Sequence, residues 1–278
     1  MNGNILIKPS VQQKFDHVMQ SGRILFFSAP CGFGKTVVAN ALLRKWRTLC
    51  LRADAPDFSL QALPDEWDIL LIDDFQLLQE QETSQTLCEL IRANPARRFV
   101  FLSRGVPPAY LTAFQYTGLM TTLEPDDLLF DHEDIRNFFA SCKVAVTESE
   151  INGILKESIG YPLGVAITAR QMSDGKPFSP ELTARAYREV FAYFEAAVYN
   201  RFDLPVRRLL LELSLFEDFD MEMVRMVSGD PLCRRTDGLA PAAHHHAALR
   251  QPGAIPLLGR FPRLSPLGDG SGIHGGKA

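Results

Sequence analysis

The sequence contains no C-x-x-C pair, no long apolar run and no surplus of positive charge. Its five cysteines (Cys31, Cys50, Cys88, Cys142 and Cys233) are scattered and odd in number. That pattern excludes a zinc-ribbon spacing and a disulfide framework, and reads as free thiols in a reducing compartment. No apolar stretch approaches the roughly 18 residues needed to cross a bilayer. The opening MNGNILIKPS lacks the apolar region of a secretory signal. With a net charge of −4 over 278 residues, nothing in the charge balance draws the chain non-specifically to nucleic acid or an anionic membrane. These absences predict a cytoplasmic protein without a membrane partner.

Scarcity is also regional. Residues 234–278 hold one aromatic, Phe261, and two acidic side chains, Asp237 and Asp269, against six basic ones. The same stretch carries eight of the 19 glycines and four of the six histidines. Such a composition buries too little apolar surface to offset the entropy of ordering, so residues 232–278 are predicted to be disordered. The run His244–His246 has no cysteine nearby and no helical spacing, and no metal site is assigned to it.

What the chain does have is an alternation of short apolar runs with amphipathic ones. Ile24–Ser28, Thr48–Arg52, Ile69–Asp73, Phe99–Ser103 and Met120–Leu123 read as buried strands. Helical patterns cover Thr36–Trp46 and Leu77–Ala93, so the first 125 residues predict an α/β domain with a parallel sheet covered on both faces. After Leu123 the strands stop. Asp131 is an N-cap signal, Thr147 and Glu150 form a capping box, Gly160 is a stop signal, and Pro162 opens a helix running through Met172. Further helices are expected at Glu181–Asn200 and Pro205–Phe216. The organisation predicted is 1–125, an α/β domain; 126–174, a small helical domain; 180–231, a further mostly helical unit; and the tail.

The most informative stretch is SAPCGFGKT, Ser28–Thr36, at the seam between the first strand and the first helical pattern. Ala29, Pro30, Cys31, Gly32, Phe33, Gly34, Lys35 and Thr36 fit a Walker A P-loop with alanine in the first place. Gly32 and Gly34 permit backbone angles that turn successive N–H groups toward one centre. Lys35 would reach the β- and γ-phosphates, and Thr36 would offer its hydroxyl to Mg²⁺. Downstream, WDILLIDDFQLL runs four apolar residues into Asp73 and Asp74, as a Walker B motif requires. Asp73 would hold Mg²⁺ through water and Asp74 would orient an attacking water. Taken alone, the pair is equally well read as a cap for a helix beginning near Phe75. RRFVFLSRG ends a further strand in Ser103 and Arg104, a cation placed to meet charge developing on a γ-phosphate.

Together these residues resemble the STAND-class signal-transduction NTPases, close to the MalT-type and LuxR-type bacterial transcriptional regulators. The resemblance rests on FFSAPCGFGKT, LLIDDFQLL, FVFLSRG, the GYP of Gly160–Pro162 and the block LPVRRLLLELSLFEDFDMEMVRMVSG, and spans roughly Ile5–Pro231. It implies an ASCE-type P-loop NTPase with a five-stranded sheet of order 5-1-4-3-2, a helical lid, and a partial winged-helix domain closing on ATP or ADP. It also implies that Pro162 lies near the nucleotide, that Ile5–Pro9 flanks adenine, and that Arg104 is the sensor arginine. Two departures stand out. Asp74 occupies a place where vigorous ATPases carry glutamate, which suits a slow ATP/ADP switch. Beyond Leu232 the family pattern ends, as in a truncated or frameshifted reading frame. With no recognition-helix pattern or basic face following, DNA binding by this chain is not expected. A remodelling ATPase and an inactive fragment remain the alternatives at this point, and self-association on ATP binding is an open partner expectation.

Overall fold

The computed structural model describes residues 5–61, 63–214, 223, 224 and 226. The predicted disordered tail and the histidine run lie outside the described residues.

The chain begins with α1, Pro9–Gln20, whose Pro9 sits in the first turn, where the missing N–H costs nothing. There follow β1 (Ile24–Ser28), α2 (Lys35–Leu42), β2 (Thr48–Arg52), β3 (Ile69–Asp73), α3 (Gln81–Ala93), β4 (Arg98–Ser103), α4 (Thr112–Tyr116) and β5 (Met120–Leu123). The strands form one five-stranded sheet in the order β2-β3-β4-β1-β5, with every pairing parallel. Read from the other edge, this is the 5-1-4-3-2 order that the family resemblance implies.

Alternation along each strand builds two cores. Leu25 and Phe27 of β1, Val100 and Leu102 of β4, and Leu71 of β3 pack against Val11, Phe15 and Val18 of α1 and Ala39 and Leu42 of α2. Their neighbours Ile24, Phe26, Phe99, Phe101, Leu70 and Ile72 face the other way, onto Trp67, Phe75, Leu87, Ile91 and Phe114. Helices cover both faces, as a parallel sheet with continuous apolar strands demands.

Helices follow the sheet: α5 (Pro125–Leu128), α6 (His132–Ser141), α7 (Glu148–Ser158), α8 (Pro162–Ser173), α9 (Pro180–Ala197) and α10 (Leu204–Leu213). The signals read for α6 and α7 operate as expected. Asp131 accepts from the Asp134 N–H, and Thr147 with Glu150 completes a reciprocal capping box. Ile135, Phe139, Ile151, Ile154, Val165, Ala169 and Leu182 make a third core. From α9, however, Ala186 and Val190 join the core of the sheet, together with Tyr161. Thus α9 bridges the helical part and the sheet. In 180–231 the described residues are helical, with Leu209, Leu213 and Val224 packed together.

The structure differs from the sequence reading in three places. The helix expected over Leu77–Ala93 begins only at Gln81. Phe75 and Leu78 are drawn into the core and fold Phe75–Leu77 into a 3₁₀ turn, and Leu78 leaves it at ψ 79°. The helix expected to reach Trp46 ends at Leu42. Helices α1, α4 and α5 were not foreseen.

Candidate functional site

Parallel register brings the carboxyl ends of the central strands to one level: Ser28 of β1 pairs with Ser103 of β4, and Ile72 of β3 pairs with Phe101. Ligand sites of open α/β sheets form outside this edge. The loop Ala29–Lys35 leaves β1 there, and the Ala29 N–H donates to the Ser103 carbonyl at 3.3 Å. Gly32 and Gly34 have φ of 82° and 76°, the left-handed region glycine enters without a steric cost. Gly34 directly precedes the first residue of α2, so the helix's free N–H groups face outward from the loop.

Lys35 Nζ donates to the carbonyls of Ala29 and Pro30 at 2.6 and 2.9 Å. Burial pushes its ammonium down to about 8, with Arg104 acting in the same direction and Asp73 and Asp74 opposing. Thr36 Oγ1 donates to Asp73 Oδ2 at 3.1 Å, while Asp73 Oδ1 accepts from the Asp74 N–H at 2.8 Å. The helix start and the end of β3 therefore present a hydroxyl and a carboxylate side by side. Such hard oxygen donors, few in number, fit Mg²⁺, which keeps several waters and takes phosphate oxygens for the rest of its shell. Among the described residues no group of three or more His, Cys, Asp or Glu forms a self-sufficient metal cage.

Asp74 itself sits at φ 52°, a strained position that aspartate tolerates better than bulkier residues. Its Oδ1 meets Arg104 Nη2 at 3.3 Å and accepts from Gln76 Nε2 at 3.0 Å. Gln76 Oε1 in turn accepts the Arg104 backbone N–H at 3.0 Å. Phe75, stacked on Phe101 at 4.4 Å and edge-on to Phe26 at 5.5 Å, fixes this turn to the sheet. The sequence reading placed Asp74 and Arg104 separately, and the fold brings them into contact.

The helices close the site from above. Gly160 at φ 74° passes so close to the Phe130 carbonyl that a Cβ would lie 2.2 Å from its oxygen. Next to it, Tyr161 donates its hydroxyl to the Cys31 carbonyl at 3.0 Å and sets its ring edge-on to Phe33, with centroids 5.4 Å apart. Burial pushes the Tyr161 phenol up, so it stays a donor. Pro162 starts α8 and lines the same cavity as the loop. From α9, Phe194 stacks on Tyr161, the Tyr193 hydroxyl lies 3.6 Å from Cys31 Sγ, and the Ala197 carbonyl accepts from Arg104 Nη1 at 3.4 Å. Lys8 ties the segment before α1 to this cover, through Asp134 at 3.0 Å and the Leu129 carbonyl at 2.6 Å. Tyr193 was missed by sequence reasoning, and Tyr161, Gln76 and Lys8, though inside GYP, LLIDDFQLL and Ile5–Pro9, were given no contacts of their own there.

Between cover and loop lies a cavity of about 500 Å³, within the usual range for small-molecule sites. Its lining combines polar residues, Lys35, Thr36, Asp73, Asp74, Gln76 and Arg104, with apolar ones, Ile5, Leu6, Phe130, Phe138 and Leu163. Such a lining suits a small ligand with one charged and one apolar portion.

No protein-family model matches the chain, and no curated protein matches its sequence. Solved structures do match. A Walker-type ATPase of Pyrococcus abyssi overlays with a TM-score of 0.55 at 12% identity, covering 85% of this chain and 89% of that one. A single-substitution variant of RuvB from Thermotoga maritima overlays at 0.51 and 14% identity, over 90% and 91%. The fold is that of the P-loop ATPases. A STAND protein with a tetratricopeptide repeat sensor from Pyrococcus horikoshii aligns at 0.46 and 14% identity, over 87% of this chain and 39% of that one, a likeness too loose to argue from. In this P-loop ATPase fold, Ala29–Gly34 is the loop between the interior strand β1 and helix α2. No helix among the described residues is long and apolar enough to cross a membrane.

Proposed function

We propose that the chain binds adenine nucleotide with Mg²⁺ and serves as the slow ATP/ADP switch of a MalT-type or LuxR-type transcriptional regulator. The observation that carries the binding reading is the contact between Thr36 and Asp73 at 3.1 Å, at the mouth of the loop and inside the 500 Å³ cavity. In this reading the loop N–H groups hold the phosphates. Lys35 turns from the Ala29 and Pro30 carbonyls to the β- and γ-phosphates, and Arg104 meets the γ-phosphate. Thr36 and Asp73 would hold Mg²⁺, which when bound would supply charge neutralisation at the phosphates. Asp74 orients the attacking water, and its short side chain keeps turnover slow. Pro162 and the apolar part of the lining take the base.

The regulator reading is supported by the sequence resemblance through GYP and the Leu204–Gly229 block, which includes the division into 1–125, 126–174 and 180–231 with lid and winged-helix roles. Self-association on ATP binding belongs to the same proposal. A remodelling ATPase is told apart by turnover: a switch hydrolyses slowly and retains ADP.

Lys35→Ala tests the core of the reading. Loss of a charge-assisted phosphate contact is expected to weaken ATP binding roughly tenfold or more, as read by calorimetry. Unchanged affinity would sink the assignment. Asp74→Asn is expected to spare binding and lower hydrolysis in single turnover.

A further inference from the structure

We infer that Gln76 is a positioning residue that ties Asp74 to Arg104, so that Arg104 is held where it reads the γ-phosphate and Asp74 where it orients the water; this rests on the nucleotide reading above. Its amide is used at both ends. Nε2 donates to Asp74 Oδ1 at 3.0 Å, and Oε1 accepts the Arg104 N–H at 3.0 Å. The Arg104 guanidinium closes the ring on the same Asp74 oxygen at 3.3 Å. Asp74 and Arg104 lie at the ends of β3 and β4, and Gln76 spans them from the turn behind.

The arrangement has a mechanical reason. Asp74 sits at φ 52° and its backbone alone does not favour that angle. Arg104 follows the last residue of β4, where the ladder no longer holds it. A cation that must meet the γ-phosphate and a carboxylate that must hold the water beside it need fixed relative positions, since loosening by an ångström forfeits much of their effect. An amide is an uncharged side-chain group that donates and accepts from two different atoms, so it bridges such a gap without adding charge beside either partner. Phe75, buried against Phe26 and Phe101, holds the turn that carries Gln76. Gln76 thus touches neither the loop nor the metal-holding pair by hydrogen bond, and its effect falls on the third phosphate alone.

The test compares affinities for Mg-ADP and for the non-hydrolysable Mg-AMP-PNP by calorimetry in the full chain. Gln76→Glu keeps the acceptor for the Arg104 N–H but removes the donor to Asp74. Gln76→Met removes both. Each is expected to lower the preference for the triphosphate about tenfold while ADP affinity stays within about twofold. Circular dichroism melting confirms that each variant is folded. A wild-type preference retained in Gln76→Met, or an equal loss for both nucleotides, overturns the inference. Failure of the wild type to bind either nucleotide overturns the nucleotide reading itself, so the two failures are distinct.

Discussion

The carboxyl edge of the sheet and the helical cover reach the same cavity by different routes. At the edge, Asp73, Asp74 and Arg104 lie at or just past a strand end, and Lys35 and Thr36 open the helix that follows the loop after β1. In the cover, Tyr161 meets Cys31 across 130 residues of chain, Tyr193 meets it across 162, and Ala197 meets Arg104 across 93. The edge is set by local geometry: a strand must end, a turn must follow, and the residues there face the same way in every copy of the fold. The cover exists only after α8 and α9 have packed. A phosphate site built at the edge therefore becomes responsive, through the cover, to where those helices sit.

Gly32 is where the two regions press hardest. A Cβ there would lie 1.6 Å from the Tyr161 hydroxyl oxygen. The ring cannot swing aside, because Phe33 and Phe194 hold it on two sides. Gly34 has nearly the same φ, yet nothing lies within 4 Å of its Cβ position. Gly32→Ala is expected to cost about 2–5 kcal/mol from backbone strain plus overpacking, against about 1–2 kcal/mol for Gly34→Ala from strain alone. Denaturant unfolding of both variants checks the difference. Equal costs would break the comparison, since the cover would then contribute nothing at Gly32.

All five strands were legible because buried parallel strands are short apolar runs, and no tertiary partner changes that pattern. The capping signals at Asp131 and Thr147 were legible for the same reason: they are satisfied within one turn. The loop and both aspartates were legible as motifs, although Asp74 was read as a water-orienting group without its tie to Arg104. What escaped was anything decided by packing. Helix α1 carries Val11, Phe15 and Val18 at helical spacing, and the signal was present but weak among polar neighbours. The late start of α3 depends on Phe75 stacking on Phe101, 26 positions along the chain in number but adjacent in the sheet's outer layer. Tyr161 was visible as the middle of GYP, yet its hydroxyl reaching the Cys31 carbonyl could not be read from spacing.

Lys35 offers a smaller effect at the same site, because burial lowers its ammonium to about 8. Bound phosphates would restore the proton, so the complex binds more protons than the free protein above that pH. Nucleotide affinity is therefore expected to be flat to about pH 7.5 and to fall by up to about tenfold per unit above pH 8. For stability alone the sign reverses. The unfolded lysine, at its ordinary value of 10.5, holds more protons than the folded one between 8 and 10.5, so this group's contribution rises with pH in that window. Lys35→Arg keeps its charge throughout and is expected to flatten the affinity profile. Calorimetry from pH 6.5 to 9 in a Cys31→Ser background reads the slope. A flat wild-type profile would mean that Lys35 stays solvated.

The mildest test uses Cys31, which belongs to the loop but touches the cover. Its thiol is partly exposed at the cavity, 3.6 Å from the Tyr193 hydroxyl. Cys88 is buried on α3, and that burial pushes its thiol up, away from the reactive thiolate. Access and chemistry thus both favour Cys31. Iodoacetamide is expected to label Cys31 several-fold faster than Cys88, and Mg-ATP to slow Cys31 while leaving Cys88 unchanged. Tyr193→Ala removes the cover at this point without touching the loop, so it should speed labelling of Cys31 further and leave the protection by Mg-ATP in place. Timed mass spectrometry separates the three outcomes. If Mg-ATP protects the wild type but not Tyr193→Ala, the shielding comes from the cover closing. If it protects both, bound phosphates shield the thiol directly, as the position of Cys31 within the loop leads one to expect. Equal rates with and without Mg-ATP in the wild type would remove Cys31 from the site altogether.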